Sequence, residues 1–319
     1  MLRNLLSLLM VVLGYCCCAA RAGATAPKLN LPPETGAILD SIYSGQTDLA
    51  IQEARELQEK EPELPLGYLL EDEALWWKIW CTAAEFKYGM TMPRRQGKQA
   101  GDQHYLEVAA KAYALAEASL AQQESAEMYL YAGMADALSA RLYSLRGENR
   151  ATARVGVRAR GNFEKALQLD PSLADADVGL GLYNYYVDTL STLARVLRIF
   201  MGIPGGSKEE GVQQLQRAIR EGQLTPAVAR FYLALNLHNY DRQYQEALMV
   251  LEPLVTQYPE NPLFQLARGD LYAKLGRKQQ AASAYEEAAR VAGKLPDAEC
   301  RTKVQALVRD SLEALRKGS

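Results

Sequence analysis

Few residues in this 319-residue chain could carry out acid–base or metal chemistry. His104 and His238 are the only histidines, and neither has a cysteine or a second histidine at metal-ligand spacing. The adjacent carboxylates Glu71–Asp72 and Glu209–Glu210 would point about 100° apart on a helix, so they predict solvated faces and not an acid–base pair. We therefore expect no catalytic residue, no metal site and no cofactor.

A glycine-rich segment, residues 202–207, precedes a predicted helix, and such a segment can bind an anion through free backbone N–H groups. It lacks the Gly-Lys-Ser/Thr order of a P-loop. Ser207 and Glu210 have the spacing of a capping box, which would satisfy the same N–H groups internally. A structural turn is the favoured interpretation, and a phosphate site is the alternative.

Two apolar groups could form either core or a contact surface. Trp76 and Trp80 share one helix face with i, i+4 spacing, and Trp77 lies beside them. The second group, at helical spacing further along the chain, consists of Leu190, Leu193, Leu197 and Met201. Burial in the core is favoured for both groups, and contact with a partner or a membrane surface is the alternative.

Recurring helix pairs must position these residues. Near the C-terminus, residues 232–259 and 266–288 follow one helix-turn-helix design. Small and aromatic residues occupy offsets of 0, 3, 12, 16 and 19 in the second of these stretches, namely Gly269, Tyr272, Ala281, Tyr285 and Ala288. Related offsets recur upstream and predict helical hairpins along nearly the whole chain.

This pattern resembles the tetratricopeptide repeat (TPR) family over nearly all of residues 34–295. The resemblance implies an all-α, right-handed superhelical solenoid of about six hairpins, with a C-terminal capping helix within residues 296–319. The predicted helix pairs after the first hairpin are 66–88 with 103–122, 124–146 with 151–169, 173–201 with 207–221, 225–240 with 244–258, and 262–275 with 278–292. The helix 173–201 is predicted to be continuous because no Gly or Pro interrupts it after residue 181 before Gly202; a break near Asp188 would leave an inserted helix.

The resemblance also implies a concave groove that binds peptides or other proteins. The family's best-known groove binds the terminal carboxylate of a peptide through a set of polar side chains. This sequence does not reproduce that set, since only Asn236 matches one of its positions. Tyrosines are far more numerous than phenylalanines, 18 against 5, and a tyrosine suits a contact surface because it joins an apolar ring to a hydroxyl. The predicted partner-binding residues are Tyr185, Tyr186, Tyr232, Asn236 and Tyr240. Ordinary packing between helices is the alternative for these tyrosines.

The N-terminus has the order of an export signal. Arg3 precedes an apolar run, residues 5–15, and small residues follow to Ala24. We expect cleavage after Ala24, with 1–24 as signal peptide and 25–33 as a proline-containing linker. The alternatives are an uncleaved anchor and lipidation near Cys16, although Tyr15 departs from the small residue that normally precedes a lipidated cysteine.

Cleavage would leave Cys81 and Cys300 as the only cysteines. An extended solenoid holds an early repeat far from its last helix, so we predict two unpaired, mostly buried thiols.

Composition is that of a folded protein, with 49% hydrophobic and 23% charged residues. The net charge of −2, or −4 without Arg3 and Arg21, gives no reason to expect nucleic acid as a partner. We predict an exported, periplasmic or secreted, non-enzymatic scaffold for a protein or peptide partner. A lipid- or small-molecule-binding solenoid of the cell envelope is the alternative, and contact with a membrane is possible but less favoured.

Overall fold

The computed structural model describes residues 29–191, 198–199 and 202–318 and folds them into an array of helical hairpins. The helices in these ranges are α1 (Thr35–Tyr43), α2 (Thr47–Lys60), α3 (Pro65–Ala83), α4 (Asp102–Leu120), α5 (Ala126–Arg146), α6 (Asn149–Leu169), α7 (Ala176–Asp188), α8 (Lys208–Glu221), α9 (Pro226–Asn236), α10 (Tyr244–Gln257), α11 (Pro262–Lys274), α12 (Lys278–Ala292) and α13 (Ala298–Lys317). A π-helical turn (Leu237–Asp241) extends α9, and two short strands, β1 (Ala84–Phe86) and β2 (Thr91–Pro93), follow α3.

Successive helices pair into six hairpins, α1 with α2 through α11 with α12, and α13 packs on α12. The predicted helical array of six hairpins and a further C-terminal helix is confirmed. The first helix begins at Thr35, as the end of the proline-containing segment predicts, and Gly45 forms the α1–α2 turn with a φ of +82°.

The small residues of the repeat pattern allow the two helices of a hairpin to approach closely. A Cβ atom added at Gly269 would lie 2.5 Å from the ring of Tyr285, and one at Gly181 would lie 2.8 Å from the side chain of Leu215. Tyr285 and Leu215 are fully buried. Packing between α11 and α12, and between α7 and α8, therefore depends on the absence of a side chain at these two positions.

Gly269→Ala should lower the free energy of unfolding by about 1–3 kcal/mol, because the added methyl group overlaps the fully buried ring of Tyr285. Gly156→Ala on α6 is the matched control. Its added Cβ would meet nothing within 4 Å, so it should raise the free energy by about 0.5–1 kcal/mol through helix propensity. Urea denaturation followed by circular dichroism measures both, and equal effects of the two substitutions would refute the close-packing role of Gly269.

The interior of the curved array is filled by aromatic side chains of α3. The ring of Trp77 lies 4.9 Å from that of Phe231 on α9 and 5.5 Å from that of Phe264 on α11. All three tryptophans are at most 4% exposed, and the core interpretation of this cluster is confirmed. Helix α3 therefore joins the second hairpin directly to the fifth and sixth hairpins.

The two ends of the array also meet. Asn261, just before α11, donates a hydrogen bond of 2.8 Å to the carbonyl of Tyr43 in α1. Gly45 packs against Pro262 and Leu295. The hydroxyl of Tyr258 lies 3.1 Å from the carboxylate of Asp40. The N-terminal hairpin thus docks on the C-terminal units.

Closure brings Cys81 at the end of α3 to Cys300 in α13, where the two form a disulfide with a Cα–Cα distance of 5.6 Å. The prediction of two unpaired thiols is wrong. It assumed an extended solenoid in which an early repeat and the last helix lie far apart, whereas α13 packs on both α12 and α3.

The second hairpin differs from its prediction because α3 ends at Ala83 and not at Tyr88. β1 and β2 follow as an antiparallel pair with Ala84 opposite Pro93. The predicted all-α fold does not include this pair. The backbone N–H of Thr91 donates to the buried carboxylate of Asp270 on α11 at 2.6 Å. This tertiary contact provides an acceptor for a backbone N–H group at the outer edge of β2, and no local sequence pattern predicts it.

The fourth hairpin differs as well, because α7 ends at Asp188 and the continuous helix predicted to residue 201 is wrong. The hydroxyl of Thr189 donates to the carbonyl of Tyr186, and the carboxylate of Asp188 accepts from the backbone N–H of Lys208. Arg198 and Ile199 are again helical. Leu193, Leu197 and Met201 lie outside the described residues, as do residues 1–28. Among the helices in the described ranges, none has the length and apolar character of a membrane span.

Candidate functional site

The first helices of successive hairpins place the predicted partner-binding residues together. Tyr185 and Tyr186 come from α7, Tyr232 and Asn236 from α9, and Tyr240 from the π-helical turn. Tyr240 is 48% exposed, and Tyr186 and Tyr232 are half-buried. We call these three residues the tyrosine face.

Tyr185 and Asn236 are buried beneath this face. The hydroxyl of Tyr185 donates to the carboxylate of Asp241 at 2.7 Å, and Asp241 also binds Lys208 at 2.6 Å. Asn236 is 2% exposed. A partner cannot touch either side chain without displacing the face. We predicted that Tyr185 and Asn236 contact the partner directly, whereas their burial places them as supports of the tyrosine face.

The tyrosine rings pack edge to face. The ring of Tyr186 lies 6.0 Å from that of Tyr185 and 6.2 Å from that of Tyr240. The rings of Tyr185 and Tyr240 are 5.9 Å apart. Because these contacts span α7 and the turn after α9, they fix the orientation of the exposed rings before any partner binds.

Polar groups support Tyr232 from two other helices. Trp76 on α3 donates from its indole nitrogen to the hydroxyl of Tyr232 at 2.9 Å. The guanidinium of Arg141 on α5 lies 5.2 Å from the centre of the Tyr232 ring and 5.9 Å from that of Trp76. Glu73 accepts from Arg141 at 2.6 Å and from the indole of Trp77 at 3.0 Å. Arg141 is thus a paired cation.

Sequence reasoning missed Arg141 and misread the carboxylates on α3. Glu71 is 3% exposed and accepts hydrogen bonds from Arg55 at 2.8 Å and Gln58 at 2.7 Å. Asp72 is fully buried, and neither of its oxygens has a hydrogen-bond partner among the described residues. The predicted solvated face for Glu71–Asp72 is wrong, because this part of α3 lies inside the closed array.

Burial sets the charges of this region. Loss of solvent, followed by the nearby Glu73 carboxylate, raises the pKa of Asp72 well above its usual value. Burial also raises the pKa of Tyr186, Tyr232 and Tyr240. The face therefore presents neutral phenols, which suit binding by packing and hydrogen bonds more than nucleophilic or acid–base chemistry.

The two histidines are not part of the tyrosine face. His104 is half-exposed, with its ring 3.5 Å from the carboxylate of Glu71. His238 is buried beside the sulfur of Met90, and burial lowers its pKa to about 4. Within the described ranges, no group of three or more His, Cys, Asp or Glu residues is arranged to bind a metal.

The glycine-rich segment forms the predicted turn. Ser207 caps α8 by accepting a hydrogen bond of 3.4 Å from the backbone N–H of Glu210. Gly206 approaches Asn184 so closely that an added Cβ would lie 2.7 Å from the Cα of that residue. The hydroxyl of Tyr183 donates to the carbonyl of Pro204 at 2.9 Å. These contacts support the interpretation of a packed structural turn.

Comparisons with known proteins find similarity at the level of structure. No protein-family model and no curated protein matches the sequence. YrrB, described as a TPR protein with an unusual peptide-binding site, is 17% identical with a TM-score of 0.33, covering 80% of this chain and 98% of its own. The C-terminal part of a TPR repeat-containing protein from Cytophaga hutchinsonii is 14% identical with a TM-score of 0.37, covering 89% and 93%. Yeast Tom70 is 12% identical with a TM-score of 0.36, covering 89% and 77%. The fold assignment rests on the hairpins described above.

Proposed function

We propose that this protein is a non-enzymatic scaffold that binds a protein or peptide partner through the tyrosine face. The observation that carries the proposal is the convergence of three partly exposed tyrosines on one surface, held by ring contacts and by Trp76 and Arg141. Rigid aromatic side chains bind partners well because they lose little conformational entropy on binding.

The chemistry of the face favours an apolar or aromatic partner segment. The phenol rings offer apolar area and hydroxyl groups, and Glu73 already neutralises Arg141. A bare carboxylate therefore gains little from this surface, so we expect internal peptide segments to bind and a free C-terminus to be unnecessary.

We further propose that the protein acts in an exported, periplasmic or secreted setting. The Cys81–Cys300 disulfide supports this location, because disulfides persist in oxidising compartments. The signal-like residues 1–24 point the same way.

Peptide selection tests the binding proposal without a known partner. Random peptides displayed on phage are selected on the purified protein, and the dissociation constants of the synthetic peptides are measured by fluorescence anisotropy. Tyr232→Ala and Tyr240→Ala should each weaken binding by about 30-fold, the effect of losing one central aromatic contact.

Tyr143→Ala is the matched control, because Tyr143 is half-exposed on α5 and lies outside the tyrosine face. It should leave the affinity unchanged. Circular dichroism verifies that every variant keeps its helicity. Equal affinities of the wild type and the Tyr232 and Tyr240 variants would overturn the assignment of the binding site.

A further inference from the structure

A second surface, which carries a net positive charge, is formed by residues 85–98 and 147–154. These residues include two acidic side chains, Glu85 and Glu148, and six basic ones, namely Lys87, Arg94, Arg95, Lys98, Arg150 and Arg154. The whole chain has a net charge of −2, so this basic surface opposes the charge of the rest of the molecule.

Specific contacts hold the two segments of the basic surface together. The guanidinium of Arg95 donates to the side chain of Asn149 at 3.0 Å, and the backbone N–H of Gln96 donates to the carbonyl of Leu145 at 3.1 Å. Lys98 pairs with Glu148 at 3.2 Å. The segment after β2 therefore lies against the turn that begins α6.

The arginines in the first and second halves of α6 differ in their ion pairing. Arg150 and Arg154 are exposed, lie one turn apart on one face, and have no ion pair among the described residues. Further along α6, Arg158 pairs with Asp136 and Arg160 with Glu164. Judged by the described part of the chain, free positive charge on α6 is confined to its N-terminal half.

An aromatic residue projects from the same surface. Tyr88, at the tip of the β1–β2 turn, is 80% exposed, with the amine of Lys87 5.4 Å and the guanidinium of Arg94 5.8 Å from its ring centre. Its φ of +59° is strained for a bulky side chain. Lys274 donates to its carbonyl at 2.7 Å and holds the tip in place. Strain of this kind concentrates at functional positions.

We propose that the basic surface binds membranes that contain anionic phospholipids, with Tyr88 at the level of the headgroups. Arginine and lysine contact the phosphates, and a tyrosine beside them is typical of the boundary between water and lipid. The cations lie on hairpin turns and a strand tip, which suits an extended surface better than a single acidic peptide. This inference does not depend on the tyrosine face.

Vesicle co-sedimentation tests this inference with the purified full chain. Vesicles of phosphatidylcholine with about 30% phosphatidylglycerol should bind the protein, and binding should fall steeply when salt rises to about 0.5 M. Arg150→Gln/Arg154→Gln should weaken binding by about 30-fold, the effect of two basic residues near an anionic surface. Pure phosphatidylcholine vesicles reveal any contribution of the apolar residues 5–15, which would bind both lipid types.

The control variant is Arg309→Gln/Arg316→Gln, which removes two exposed arginines from α13 and the same total charge. It should bind anionic vesicles as the wild type does. Equal binding to neutral and anionic vesicles, or equal weakening by the two double variants, would overturn the proposal. Binding to poly-glutamate without binding to vesicles would contradict it in favour of an acidic protein partner.

Discussion

Removing the Cys81–Cys300 disulfide should lower the free energy of unfolding by about 5 kcal/mol, the largest single effect that the structure predicts. The bond closes a loop of 219 sequence positions, so it removes much of the conformational freedom of the unfolded chain. It also holds α13, the last helix, against α3 of the second hairpin. Loss of the bond should therefore destabilise this junction first.

Urea denaturation provides the measurement, with the wild type compared with and without a phosphine reductant. The double variant Cys81→Ala/Cys300→Ala supplies the control. Reductant should lower the free energy of unfolding of the wild type to that of the double variant, and it should leave the double variant unchanged. A wild-type midpoint that does not respond to reductant would show that the cysteines are not bonded.

Asp175→Ala should lower the free energy of unfolding by about 3–5 kcal/mol. Asp175, at the start of α7, is 2% exposed, and its carboxylate accepts backbone hydrogen bonds from Gln223, Leu224 and Thr225 at 2.8–3.0 Å. It also accepts from the hydroxyl of Thr225 at 2.9 Å. Alanine would leave these donors buried without an acceptor, at the junction between the fourth and fifth hairpins.

Asp170→Ala is the control for this prediction, because the Asp170 carboxylate lies in a partly exposed turn and, among the described residues, accepts hydrogen bonds only from Ser172. Its loss should cost about 1 kcal/mol or less. Asp175→Asn keeps one acceptor oxygen, so its free energy of unfolding should lie between those of the two alanine variants. Similar urea midpoints for Asp175→Ala and Asp170→Ala would contradict the proposed role of Asp175 in joining hairpins.

Local features of the fold could be predicted from the sequence because each hairpin has its own periodicity. The positions of Gly269 and Tyr285 reflect a contact between two adjacent helices, and Gly147 ends α5 with a φ of +79°. Such signals lie within about 20 residues of one another, where the turn and the helix period determine which side chains meet.

Closure of the array could not be predicted in this way. The packing of Trp77 against Phe231 and Phe264 joins hairpins that are far apart in the sequence, and the same holds for Cys81 and Cys300. A small angle between neighbouring repeats decides whether the ends of a solenoid meet, and sequence periodicity does not report that angle.

The candidate site could also be predicted only in part from the sequence. The repeat register predicts that Tyr186, Tyr232 and Tyr240 lie on first helices. The structure brings these residues together, with Tyr240 in the π-helical turn that extends α9. The repeat register could not show that Tyr185 is buried against Asp241, or that Arg141 on α5 would face Tyr232 on α9. Those contacts depend on how whole hairpins pack.

Site-specific photo-crosslinking shows directly whether a partner binds at the tyrosine face. A benzophenone amino acid replaces Tyr232, Tyr240 or, as the control, Tyr143, and a selected peptide is irradiated with each purified protein. We expect peptide adducts at positions 232 and 240 and none at 143, as identified by mass spectrometry. Adducts at 143 with none at 232 or 240 would contradict binding at this face.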